Sequence, residues 1–167
     1  MPPRPTAHDA RPELPLPETV LLWSMRTWLV GHRRDVPVEH YVASVFAELG
    51  VSRATGYFHG LMWALAHGAA REVALHRPCC SHIGEDEQTL LDVFALTQDR
   101  QSFERLLLLR GLFRPAAAMA AGESASGLVR EYNRAGLFFT AAYAPVRHQA
   151  LPHETPRPGD GPRRDPT

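Results

Sequence analysis

A compact, mainly α-helical bundle of about six helices is the fold class this sequence predicts. Three observations predict it. Large apolar residues recur at spacings of three and four through successive windows between residues 17 and 140. Glycine, proline and acidic residues fall where helices of that length would start and stop. Most of the 15 prolines lie outside those windows, in Met1–Leu16 and Pro145–Thr167, where large apolar side chains are few. Such ends bury too little surface to offset the entropy of ordering. The expected organisation is therefore a disordered Pro-rich N-terminal tail (1–16), a helical domain (17–140) and a disordered Pro/Arg-rich C-terminal tail (141–167). A single domain of that size can hold a core without disulfide or metal support.

Pro17 and Glu18 suit a first helical turn. Leu21, Met25, Trp28 and His32 follow at helical spacing, with Leu22 and Leu29 beside them, until Gly31 and the run Arg33, Arg34, Asp35 close the first helix. Val38, Tyr41, Val42, Val45, Phe46 and Leu49 make the apolar stripe of a second helix, and Gly50 is placed for a left-handed cap. Ser52 is placed to cap a third helix, in which Ala54, Tyr57, Phe58, Leu61, Met62 and Leu65 repeat the stripe as far as Gly68. Its expected partner is the second helix.

At Glu72–Leu75 the period changes to that of a short strand running into His76. The helical period resumes after Glu85, Asp86 and Glu87, acids that favour a helix N-terminus, with Leu90, Leu91, Phe94 and Ala95 inward and a break at Asp99 or Arg100. Phe103 and Leu106–Leu109 are nearly continuous in apolar character, which predicts a fifth helix buried on more than one face and ended by Gly111. Pro115 opens an alanine-rich sixth helix whose Ala118, Gly122 and Ser126 leave a face open to close approach, with Leu128, Val129 and Tyr132 on its apolar side. Asn133–Gly136 ends it. Leu137–Thr140 then reads as a second strand, and a small two-stranded β element is expected with 72–76 paired to 137–140.

Charge and cysteine content narrow the function. The 18 basic residues, all arginine, cancel 18 acidic ones, so there is no overall basic bias toward nucleic acid or an anionic membrane. No apolar run approaches the roughly 18 residues a membrane span needs, and the opening residues lack the basic-then-apolar order of a signal peptide. The two cysteines, Cys79 and Cys80, are adjacent. Neighbouring Cα atoms lie about 3.8 Å apart, below the roughly 4.4 to 6.8 Å of an unstrained bridge. A reduced, cytoplasmic setting is the expectation.

The densest group of reactive side chains is His76, Cys79, Cys80 and His82, four potential metal ligands within seven residues. Thiolate and imidazole are the ligands of tetrahedral zinc, so these four residues are the candidate metal site and zinc the candidate ion. Adjacent cysteines on an extended chain point to opposite sides, so a shell from this segment alone requires a tight loop, which Pro78 restricts. If the loop does not close, one cysteine packs as a small apolar group and both histidines stay solvated.

Leu49, Gly50, Val51, Ser52, Arg53, Ala54, Thr55, Gly56 and Tyr57, within Val38–Leu65, resemble the turn and recognition-helix start of helix-turn-helix DNA-binding proteins. The resemblance implies a DNA-binding regulator acting through 38–65. The segment departs from the pattern at Phe46, where a small residue would let the helices cross closely, and at Gly56, where a buried aliphatic is expected. Val38–Ala69 carries Arg53 against Glu39 and Glu48, one positive minus two negative, a net of −1 with little to offer phosphates. A plain helical hairpin accounts for the same residues.

Catalytic templates find no match. Gly122, Glu123, Ser124, Ala125, Ser126 and Gly127 set the second glycine one place late for a nucleophile elbow, and no strand precedes the serine. There is no phosphate-cradling loop, dinucleotide fingerprint or paired-histidine zinc helix. No catalytic or cofactor-binding residue is assigned and an enzyme is not expected. Trp23, Trp28 and Trp63 cannot all face inward, and exposed aromatics mark interfaces. The expected function is a non-enzymatic protein-interaction or regulatory module, with an unknown protein or a second copy as partner; the DNA reader and the zinc module are the alternatives.

Overall fold

The computed structural model describes residues 14–140, and among these the chain forms six α-helices. α1 (Leu16–Arg34) starts on Pro17 and Glu18 and stops where Asp35 turns left-handed at φ 53°. Leu21, Leu22, Met25 and Trp28 face the core, whereas His32 is exposed and stacks on Trp28 at 4.7 Å. α2 (Glu39–Glu48) buries Val42 and Phe46 and leaves Tyr41 outside. Gly50, at φ 80°, caps it with a conformation that costs a side chain little only when the side chain is absent. α3 (Ala54–Gly68) follows with no side-chain cap: the Ala54 N–H donates to the Val51 carbonyl at 2.8 Å, so Ser52 is not the cap its position suggested.

α4 (Glu85–Gln98) begins after Gly84, and Arg100 at φ 58° makes the break before α5 (Ser102–Leu112). α5 runs through Gly111 and ends at Leu112. α6 (Pro115–Arg134) starts on its proline and ends ahead of Gly136 at φ 76°. The expected Pro-rich tails lie, but for residues 14–16, outside the described residues.

The main partner of α3 is α6, and α2 is a minor one. α3 and α6 run antiparallel, with Tyr57 over Gly127, Gly60 opposite Ser124 and Gly68 opposite Ala117. A Cβ at Gly68 would overlap that of Ala117, and one at Gly60 would stand 2.8 Å from the Ser124 hydroxyl oxygen. Glycine is required where the two backbones approach this closely. The small-residue row anticipated on α6 faces elsewhere: Gly122 meets Leu109, and Ser126 accepts a hydrogen bond from Arg105, both on α5. A second row, Ala117, Ser124 and Gly127, takes α3. Phe46 sits edge-on to Phe58 at 5.4 Å and to Tyr132 at 6.1 Å, so α2, α3 and α6 meet in one aromatic core. Such pairs add about 0.5–1.5 kcal/mol each beyond their burial.

Two expectations are corrected. Neither 72–76 nor 137–140 forms a strand, because helix side chains take their backbone groups. The Ala74 N–H donates to Asp86 at 2.7 Å and the His76 N–H to Glu87 at 2.8 Å. Gln98 donates to the Phe139 carbonyl at 3.0 Å and accepts from its N–H at 2.9 Å, and Thr140 donates to Glu18. With the Ala74, His76, Phe139 and Thr140 amides already engaged, neither segment offers a continuous ladder edge. Among the described residues, extended pairing amounts to a single antiparallel bridge between Ala69 and Phe113, tying the end of α3 to the α5–α6 junction. The second correction is α5. It buries Leu109 and Leu112 but leaves Phe103, Leu106 and Leu107 in solvent, so its continuous apolar character is not that of an engulfed helix.

Candidate functional site

The segment carrying His76, Cys79, Cys80 and His82 crosses from the end of α3 to the start of α4, and a buried ion pair shapes it. Arg26 lies on the inward face of α1, one turn beyond Leu22, and Glu87 is the third residue of α4; their side chains are 5% and 0% exposed. The guanidinium grips the carboxylate with two bonds, Nε to Oε1 and Nη2 to Oε2, each 2.7 Å. It also donates to the carbonyls of Cys80 and His82. Oε1 accepts the His76 N–H, and Oε2 accepts the Gly84 N–H at 2.8 Å and His76 Nδ1 at 2.9 Å. The Gly84 contact is the backward half of a capping box, which is why an acid three residues into the helix belongs there.

Five donors therefore saturate one carboxylate. Burial disfavours its charge, but Arg26, the Gly84 and His76 amides and the His76 ring outweigh that and hold its pKa down to about 2. With every lone pair engaged, Glu87 has no free edge for a substrate or metal. Beside it, Arg71 forks onto Asp86 at 2.6 and 3.0 Å, and that fork, against some burial, keeps the Asp86 carboxyl below its usual range.

His76 is committed to Glu87, Cys79 and His82 are exposed, and Cys80 is half-buried with its backbone carbonyl on Arg26. Among the described residues no three His, Cys, Asp or Glu side chains gather as metal ligands, so the structure does not bring the four candidates together. Arg26 and Glu87, the residues that organise the loop, were missed in the sequence. Their signal was present: an arginine in register with Leu22 beside the apolar Leu21, Met25 and Trp28, and an acid three positions after Gly84.

In the α2–α3 segment, Gly50 makes the turn, but α3 is laid along α6 and its outward positions include Gly56, Trp63, Ala66 and His67. Arg53, just before α3, is exposed and is the basic residue the segment offers. Of the tryptophans, Trp28 is buried, Trp23 half-buried, and Trp63 is 62% exposed, stacked on His67 at 3.9 Å.

The α5–α6 side carries the largest group of outward apolar side chains. Phe103 is 68% exposed, Leu107 55% and, on α6, Met119 71%. Between the two helices runs a concavity lined at one end by Tyr57, Leu106 and Met119 and continuing past Arg105, Ser126 and Arg130 toward Arg100 and Arg134. Arg130 donates to the Tyr57 hydroxyl at 2.7 Å and lies over its ring. Compared with known proteins, the chain matches no family model, no curated protein and no solved structure.

Proposed function

We propose that the chain is a non-enzymatic interaction module whose docking surface is the outward face of α5 and whose partner is a second copy of itself. The observation that carries the reading is the row Phe103, Leu106 and Leu107, three large apolar side chains left in solvent within five residues of one helix. The pattern around Leu107 supports self-pairing. Glu104 and Arg110 lie three positions to either side of it, and neither makes an ion pair among the described residues. Two antiparallel α5 helices crossing at Leu107 set Glu104 of each copy opposite Arg110 of the other. Phe103 then faces Gly111, a position so open that a Cβ there meets nothing within 4 Å. A two-fold pairing of this kind uses one surface patch twice and closes on itself.

Light scattering on the full chain tests the proposal. A concentration-dependent dimer is expected, made monomeric by Leu107→Glu with the helical signal retained. Glu104→Arg weakens the dimer by like-charge contact, and adding Arg110→Glu to it restores pairing. A wild-type chain that stays monomeric across the accessible concentration range overturns self-association.

A further inference from the structure

The groove between the start of α5 and the C-terminal half of α6, about 660 Å³ in volume, is lined by Arg100, Arg105, Arg130 and Arg134, with Ser102, Ser126 and Asn133 among the remaining wall residues and no carboxylate in the wall. Four guanidinium groups around one concavity repel one another unless anions compensate them. Glu131, buried beneath, compensates two: it lies 2.7 Å from Arg134 and 3.6 Å from Arg130. Arg100 and Arg105 have no carboxylate partner among the described residues. Asp99 and Glu104 neighbour them in the chain but do not line the groove. The Nε of Arg105 is buried with no hydrogen-bond partner, while its Nη1 donates to Ser126 Oγ at 3.0 Å. A buried charged N–H without an acceptor is costly, and an anion in the groove supplies the acceptor.

We infer that this groove binds a phosphate-bearing small molecule. A phosphate offers three oxygens to forked guanidinium donors and hydroxyls, matching the number of donors better than a single carboxylate does. Ser102 brings the first turn of α5 to the rim, whose amides add a positive end. Arg100, Arg130 and Arg134 are exposed and Arg105 half-buried, so the four arginines border one open concavity, which suits a compact phosphate group. The groove shares Arg105, Ser126 and Arg130 with the apolar concavity of Tyr57, Leu106 and Met119, so an apolar or aromatic body attached to the phosphate has a place to lie. None of Phe103, Leu106 and Leu107 lines the arginine groove, so the phosphate site stands independently of the α5 docking surface, of which only Leu106 reaches the apolar concavity.

Titration calorimetry on the full chain at fixed ionic strength tests this, with inorganic pyrophosphate as the probe and inorganic phosphate and ATP as parallel arms. One pyrophosphate per chain is expected, displaced by ATP, with Arg100→Gln and Arg134→Gln each weakening binding by about tenfold or more. The control pair Arg33→Gln/Arg34→Gln, exposed at the far end of α1, leaves it unchanged. Absence of saturable binding in all three arms overturns the inference, as does equal weakening by the control pair. Binding of ATP that adenosine displaces and pyrophosphate does not also overturns it.

Discussion

Glu87→Gln is the perturbation that asks most of the structure. The substitution keeps the shape and removes the charge, placing an amide NH2 where a carboxylate oxygen accepts either the Arg26 and His76 N–H groups or those of Arg26, Gly84 and the His76 ring. Arg26, 5% exposed, is then a buried cation with no counter-charge. Breaking one side of a buried pair costs about 3–5 kcal/mol. At roughly 3–5 °C per kcal/mol for a folded body of this size, melting followed by circular dichroism should fall by about 10–20 °C. Arg26→Met should cost a similar amount. The double variant Arg26→Met/Glu87→Met separates two accounts of the pair. A pair that only neutralises itself is often replaceable by apolar residues at little cost. This one also accepts the His76 and Gly84 amides and donates to the Cys80 and His82 carbonyls, so the double variant should stay at least about 2 kcal/mol below wild type. Its loop should also loosen, and thiol labelling should show half-buried Cys80 reacting nearly as fast as exposed Cys79. A double variant as stable as wild type refutes the clamp, and Glu87→Gln melting within about 2 °C of wild type refutes the buried pair.

The same carboxylate sets an acid limit. Its folded pKa of about 2 lies below the ordinary 4.5, so its stabilisation is complete above pH 4.5 and is lost as pH falls toward 2; denaturant titrations across that window should lose stability, and Glu87→Gln should flatten the loss. Gly68→Ala forces the α3 and α6 backbones apart at Ala117 and should cost about 1–3 kcal/mol, whereas Gly56→Ala, where a Cβ meets nothing within 4 Å, should gain up to about 1 kcal/mol. Chemical denaturation checks both, and equal effects contradict the close approach. Phe139, 3% exposed, stacks on Phe94 at 5.4 Å and Tyr132 at 5.1 Å, and Phe139→Ala should cost about 3–5 kcal/mol by the same measurement. A loss under about 1 kcal/mol would show that residues 137–140 are not part of the core.

Six helices and most of their ends were determined by the sequence alone, because a 3.6-residue period, a glycine turning left-handed at position 50 and a proline opening α6 act through neighbours a few residues apart. Partner choice was decided by tertiary structure. Tyr57 and Phe58 mark α3 as amphipathic whichever helix covers it, and only the fit of its glycines to the small residues of α6 selects α6 over α2. The leucine run of α5 reads as buried from composition, yet burial depends on what the other helices leave uncovered. Glu72–His76 and Leu137–Thr140 look like strands until Asp86, Glu87 and Gln98 accept the amides of Ala74, His76 and Phe139. At the candidate site the cluster of histidines and cysteines was visible as a motif. The pair that orders it joins residues 61 apart in the chain, a contact that exists only once α1 and α4 have packed and water has been driven from between them.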